Sequence, residues 1–358
     1  DHRRAATLAD EAVEVLELLP PGPALAEALL EAARGDRLAG RSKQSTLRLN
    51  RCRTIAEALR SDDMLARANG AIGLLQAENG RLEDAEKSIE QEVAWLRTSA
   101  RPAAIVSALC RLAVVERRLG RCDLALAALD EADDVCRFAM QPYERAQARV
   151  ARSTIHLAVD DLDRADELLQ QASLALDPDA GVILRANYRD AQGELRLARG
   201  DHQAALACFQ AAETEAEKAG LTAFAAFCLG MAGVLTANST AISQALEVLS
   251  VSGDRRHGAR LMLYGAIIGG DADVLESAEQ EIRACGDRFL LLRALHACGG
   301  ASRRREASML CRHLLPHLPP PLVPRFMDVP AVLWTGLPTI LAERRRGPER
   351  RRADAPQR

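Results

Sequence analysis

Small residues recur along the chain at a constant step of 40: Ser45, Ala85, Ala125, Ala165, Ala205 and Ala245. Four residues after each stands a large apolar one: Leu49, Ile89, Leu129, Leu169, Phe209 and Leu249. Twelve before each comes a second small residue: Ala33, Gly73, Ala113, Ser153, Gly193 and Gly233. Five before each comes Gly40, Gly80, Gly120, Asp160, Gly200 or Thr240. A single globular core does not generate this regularity, whereas a stack of like units does.

The spacing predicts helix pairs. A glycine between two apolar-periodic runs ends a helix, because it enters the left-handed cap conformation without penalty. Gly80-Arg81-Leu82-Glu83-Asp84-Ala85 therefore reads as helix end, tight turn and next helix start. Asp160-Asp161 replaces the glycine once, and aspartate also tolerates turn geometry. The small residue twelve before lies in the first helix of a unit and the alanine in the second, so two backbones can approach closely. The large residue four later shares the alanine's face and fills the gap to the next unit.

This frame resembles the tetratricopeptide repeat: small at position 8, glycine near 15, alanine at 20, large apolar at 24 and often alanine at 27. Position 27 reads Cys52, Glu92, Ala132, Ala172, Ala212 and Ser252. Position 4 is apolar at Leu29, Leu109 and Leu229 but polar at Asn69, Arg149 and Arg189. The usual unit is shorter, about 34 residues, so the frame is similar to the long variant of bacterial ATPase- or kinase-linked signalling and transcriptional regulators. The resemblance implies an all-α, right-handed superhelical solenoid of antiparallel helix pairs.

Breaks along the chain divide it further. Residues 1–21 form a leading helix and linker, ended by Pro20, Pro21 and Pro23. Six repeat-like pairs are expected over 22–252, two degenerate capping pairs over 253–317, and a proline-rich cap over 318–341. Gly269-Gly270-Asp271 and Gly299-Gly300 mark the turns of the degenerate pairs. Residues 342–358 carry seven arginines against Glu343, Glu349 and Asp354, which reads as a solvated, disordered tail. The chain opens on Asp1 rather than methionine, so a fragment or processed product is expected.

Composition agrees. Hydrophobic residues make up 48% and aromatics only 3%, the apolar mass being alanine and leucine, both good helix formers. A net charge of −3 and the absence of interleaved basic and aromatic residues argue against a nucleic-acid-binding body. No signal-peptide pattern and no apolar run of membrane-spanning length occur, so a cytoplasmic setting without membrane attachment is expected. Nine cysteines, odd in number and mostly within apolar runs, read as reduced core thiols.

Candidate chemistry is sparse. His296, Cys298, Cys311 and His313 are the one metal-like set, but residues two apart on a helix point away from each other, so no metal is expected. Phosphate-cradling, nucleophile-elbow, zincin and kinase motifs are absent. The expectation is thus no catalytic residue, no cofactor and no enzyme. The resemblance implies instead a concave groove lined by first helices. Positions 2, 5, 9, 12 and 13 of each unit then select Arg67, Arg117, Arg118, Gln147, Asn187, Asp190, Glu194 and Asn238 as partner-facing residues. Arginines and amides there suit an extended peptide or a partner domain. The lysine–asparagine carboxylate clamp of the family is not expected, since Gly70 and Leu74 stand at its positions in the second unit. A sensor or scaffold linked to N-terminal kinase or ATPase domains is the expected role. A nucleic-acid-binding array and an enzyme with an unrecognised site are the alternatives.

Overall fold

The computed structural model describes residues 2–99, 101–139, 142–176, 181–335 and 337. Among them the chain forms α-helices and short 3-10 turns, with no strand. Helix α1 (His2–Leu16) leads. Eight antiparallel pairs follow: α2 (Pro23–Leu38) with α3 (Ser42–Ala58), α4 (Asp62–Glu78) with α5 (Leu82–Leu96), α6 (Pro102–Arg118) with α7 (Cys122–Ala139), and α8 (Pro142–Ala158) with α9 (Leu162–Ser173). Next come α10 (Val182–Ala198) with α11 (His202–Ala219), α12 (Thr222–Leu235) with α13 (Ser239–Ser252), α14 (Arg255–Gly269) with α15 (Ala272–Cys285), and α16 (Arg288–Cys298) with α17 (Ala301–Leu314). The short helices α18 (Val323–Asp328) and α19 (Pro330–Thr335) end the described chain. The arginine-rich stretch 342–358 lies outside the described residues.

The small residues do the work of pairing. Ser45 and the five alanines in register with it are buried. Ser45 also donates to the Ala33 carbonyl at 2.7 Å, joining the two small positions of its unit. At Gly193 an added Cβ would lie 2.6 Å from the Phe209 ring, so the large residue of the second helix sits directly on the missing side chain of the first. Of the three polar residues at the first-helix position where the repeat is often apolar, two bond sideways onto the second helix and Arg189 bonds to Gln192 on its own helix. Asn69 donates to Gln91 at 2.9 Å and Arg149 to the Gln171 carbonyl at 3.0 Å.

The turns of the first five pairs each place one residue in the left-handed region: Gly40, Gly80, Gly120, Asp160 and Gly200. The sixth differs from the sequence frame. Its left-handed residue is Ala237, and Thr240 is already inside α13. Asn238 supplies the reason, since its side chain accepts from the Ala241 amide and starts the helix early.

The array coils until later units seat on earlier turns. The turn at Gly40 meets Ser252, that at Gly80 meets Ala284 and Cys285, and that at Gly120 meets Leu314 and Arg288. Ser42 donates to the Ser252 carbonyl across 210 residues of sequence. His317 pairs with Asp123 at 3.3 Å and Arg325 with Asp161 at 3.6 Å. The C-terminal segment folds onto α16 and α17, with Phe326 fully buried and set edge-on to Phe289. One hydrophobic cluster consequently contains both Leu82–Val159 residues and Phe289–Leu337 residues.

Cysteine burial follows from this packing. Seven of the nine cysteines are buried, and Cys208 and Cys298 are half-buried. Burial pushes the thiols of Cys110, Cys122 and Cys311 up to about 12, away from the reactive thiolate. Burial also raises the thiols of Cys208 and Cys298, so native protein treated with Ellman's reagent should release slow colour from these two alone, and colour from all nine only after denaturation. Rapid labelling of three or more would contradict this packing.

Candidate functional site

The first helices of the pairs share one register. Position 67 on α4 recurs as Ser107 on α6, Gln147 on α8, Asn187 on α10 and Phe227 on α12, with Glu27 on α2 before them. Neighbouring rungs bond. Arg67 grips Glu27 through two hydrogen bonds of 2.7 and 2.6 Å, and Ser107 donates to Gln147 at 3.1 Å. Asn187 is exposed, and Phe227 is buried beneath the Arg260 guanidinium at 4.5 Å. The ladder runs from charged through amide to aromatic along one side of the array.

At the other end of these helices lies a cluster of arginines. Helices α6, α8, α10, α14 and α16 converge on a cavity of about 40 Å3, lined by Arg117, Thr154, Glu194, Arg256, Arg260, Asp287 and Arg293 among others. Arg260 lies along the inner face of the array and takes Asp190 at 3.0 and 3.1 Å and Glu194 at 2.7 Å. Arg117 reaches Asp287 at 3.1 Å. Arg293 donates to the Leu157 carbonyl at 3.0 Å and to the Tyr264 hydroxyl at 3.3 Å. Arg118, just behind, donates to the Ala77 carbonyl at 2.7 Å and the Cys285 carbonyl at 3.0 Å.

These bonds set the charge states. Burial alone would raise the carboxyls of Asp287 and Asp190, but the surrounding guanidinium groups hold both below the usual range. Burial, with Arg256 nearby, lowers Arg118 to about 10, which leaves it a cation at neutral pH. Next to the cluster, Asp254 accepts from His257 at 2.6 Å and is held at about 2 despite its burial. Arginines and carboxylates arranged in this way bind and orient charged groups. The buried thiols nearby are protonated and offer no nucleophile.

The structure separates the sequence-selected residues into three groups. Arg67, Gln147 and Asn187 lie on the ladder. Asp190 and Glu194 are held by Arg260, and Arg117 by Asp287. Arg118 and Asn238 take structural places. Arg118 is only 2% exposed and joins the ends of α4 and α15, which corrects the expectation that it faces a partner. Its inward register is right for a single turn of superhelix, but the next turn covers it. Asn238 is exposed but lies past the end of α12, where it caps α13, which corrects the expectation that it sits on the first-helix face.

Sequence reasoning missed Arg256, Arg260, Asp287 and Arg293. They lie past residue 252, where the 40-residue step no longer applies. A step of 33 links Asp287 and Arg293 to earlier positions, because it carries Ala245 to Ala278, Gly253-Asp254 to Gly286-Asp287 and Arg260 to Arg293, but it does not reach Arg256. His296, Cys298, Cys311 and His313 are not gathered. His296 stacks near Trp334, Cys298 donates to the Leu275 carbonyl, and His313 lies by His317. Among the described residues no group of three or more His, Cys, Asp or Glu could hold a metal ion. No described helix is long and apolar enough to cross a membrane.

No protein-family model matches the sequence, and a search of curated proteins returns no match. Solved structures do match in fold. A Rap protein complexed with Competence and Sporulation Factor superposes with a TM-score of 0.59 at 14% identity, covering 90% of this chain and 96% of that one. A STAND signal-transduction ATPase with a tetratricopeptide repeat sensor, from Pyrococcus horikoshii, aligns over 95% of this chain and 54% of its own, with a TM-score of 0.40 at 14% identity. The chain is an all-α solenoid of helix pairs with the tetratricopeptide-repeat fold.

Proposed function

We propose that this chain is a non-catalytic protein-interaction module that takes an extended peptide segment of a partner along the ladder of its first helices. The register of Arg67, Ser107, Gln147 and Asn187 carries the proposal. Amide and guanidinium side chains repeated at one helix position per unit suit the repeating amides of an extended backbone. Glu27 with Arg67 and Ser107 with Gln147 are already linked, so these rungs are ordered before a peptide arrives and lose little side-chain entropy on binding. The Rap protein of similar fold was solved in complex with a factor, which supports a binding rather than a chemical role. In this reading the chain is the sensor or scaffold region of a larger bacterial, cytoplasmic signalling protein. Kinase or ATPase domains would act on what it senses.

Panning a random-peptide library on the full chain tests this. Peptides should be enriched whose affinity falls tenfold or more in a Gln147→Ala/Asn187→Ala double variant, equivalent to about 1.4 kcal/mol. Failure to enrich any peptide, or equal affinity in the double variant, overturns the assignment.

A further inference from the structure

The arginine cluster holds more positive charge than the carboxylates around it neutralise. Arg117, Arg256, Arg260 and Arg293 line the cavity, and Arg118 lies directly behind Arg117. Against these five stand Asp190, Glu194 and Asp287, with Asp254 a fourth whose carboxylate is engaged by His257. Arg293 and Arg256 are left without a carboxylate, and Arg293 is answered by the Leu157 carbonyl and the Tyr264 hydroxyl, which leaves Arg256. Its Nε is buried without a hydrogen-bond partner, and no carboxylate comes within ion-pair distance of it among the described residues. The Nε atoms of Arg117 and Arg260 are buried and unpartnered in the same way. Three unpartnered Nε–H groups therefore belong to residues that line one cavity. Arg117 and Arg260 have carboxylate partners for their terminal nitrogens, whereas half-buried Arg256 has none, and a charge partly withdrawn from water without a partner favours a counter-ion.

Size and chemistry narrow the answer. A volume of about 40 Å3 exceeds the 10–15 Å3 that one water needs, but it admits nothing larger than a group of a few heavy atoms. Guanidinium N–H groups favour planar oxyanions, which accept two parallel hydrogen bonds. Thr154 is also on the lining, but its hydroxyl donates to the Ala151 carbonyl at 2.8 Å, so it shapes the wall. We infer that this cavity binds a single carboxylate group, held by Arg256 with Arg117 and Arg260. That carboxylate is supplied either by a small free anion or by the peptide. The second source rests on the peptide-binding reading above, whereas the first does not.

The full chain, its Arg256→Met variant and its Thr154→Asp variant distinguish these cases by thermal unfolding and by titration. Arg256→Met removes a half-buried charge that has no ion-pair partner and should fold at least as well as the parent. Formate or acetate should raise the parent's melting temperature by about 2 °C or more over chloride at equal ionic strength, chloride being a single-atom anion that cannot accept two parallel hydrogen bonds. The rise should vanish in Arg256→Met. It should vanish also in Thr154→Asp, which places a carboxylate in the cavity from within. For a peptide enriched on the parent, amidating its C-terminus and neutralising its acidic side chains should weaken binding tenfold in the parent and not in Arg256→Met. A peptide insensitive to these changes, with formate still active, assigns the site to a free anion. No anion-dependent rise in the parent, or an equal rise in Arg256→Met, overturns the inference even if peptides bind the ladder.

Discussion

Asp287→Ala should destabilise the chain by about 3–5 kcal/mol, the range for removing one partner of a buried ion pair. Asp287 is 3% exposed and performs two tasks at once. One oxygen accepts from the Leu290 amide at 3.1 Å and so caps α16. The other takes Arg117 at 3.1 Å and lies 3.8 Å from Arg118. Alanine leaves both guanidinium groups buried among like charges, with Arg256 close enough to act on each. Asp287→Asn separates the two tasks. Asparagine caps a helix as well as aspartate, so it should recover the capping share of about 1 kcal/mol and no more. The same carboxylate sets an acid limit. Its folded pKa is depressed, so its contribution is fully present above the unfolded value of about 3.9 and is lost as pH falls through the folded value. Asp254, held at about 2, behaves alike. Urea midpoints should therefore fall steeply between about pH 4 and pH 2 in the parent, and less steeply in Asp287→Ala. A loss below 1 kcal/mol in Asp287→Ala at neutral pH would mean that the seam does not depend on this charge.

The fold was legible because its evidence is repeated. Each of the 40-residue positions is weak alone, but Ala85, Ala125, Ala165 and Ala205 with Ile89, Leu129, Leu169 and Phe209 four residues on leave one arrangement of helix faces. The coiling of the array was not legible. Pitch depends on small rotations between pairs, and these are set by how side chains such as Phe209 and Ile89 fill each gap. No single residue encodes them. Contacts such as Ser42 with Ser252 or Arg118 with Cys285 join segments too distant in sequence for any periodicity to reveal. That gap explains Arg118. An arginine on an inward helix position reads as solvent-facing, and becomes a buried donor only when a later unit brings the Cys285 carbonyl up beside the Ala77 carbonyl of the preceding unit. Asn238 was legible, since asparagine ahead of Ser-Thr-Ala is a cap signal. The 40-residue frame outweighed it. The ladder was half legible: its register follows from the repeat, while the Arg67–Glu27 and Ser107–Gln147 bonds depend on which neighbours face each other.

Two glycines that look identical in sequence should respond differently to one methyl group. Gly80 and Gly200 each follow a first helix, and their φ values are +82° and +75°. Any residue with a Cβ is strained in that conformation by about 1–2 kcal/mol, so Gly80→Ala and Gly200→Ala share this penalty. Their surroundings differ. At Gly200 a new Cβ meets nothing within 4 Å. At Gly80 it would lie 2.6 Å from both the Ala284 carbonyl oxygen and the Cys285 Cα. Those are backbone atoms, so relief requires moving the α15–α16 connection, and with it Asp287 and the carbonyl that Arg118 holds. Overpacking of this kind adds about 1–3 kcal/mol. Gly200→Ala should thus lose about 1 kcal/mol and Gly80→Ala about 3 or more, measured by urea unfolding. A second readout locates the difference. Cys285 is fully buried beside Gly80, and its thiol bonds to the Ile282 carbonyl. Displacing the seam exposes it, so Cys285 should react with a thiol reagent under native conditions in Gly80→Ala and stay protected in Gly200→Ala. Equal destabilisation by the two substitutions, with Cys285 protected in both, would show that the later units do not rest on the Gly80 turn, and the cavity that depends on their meeting would have no walls.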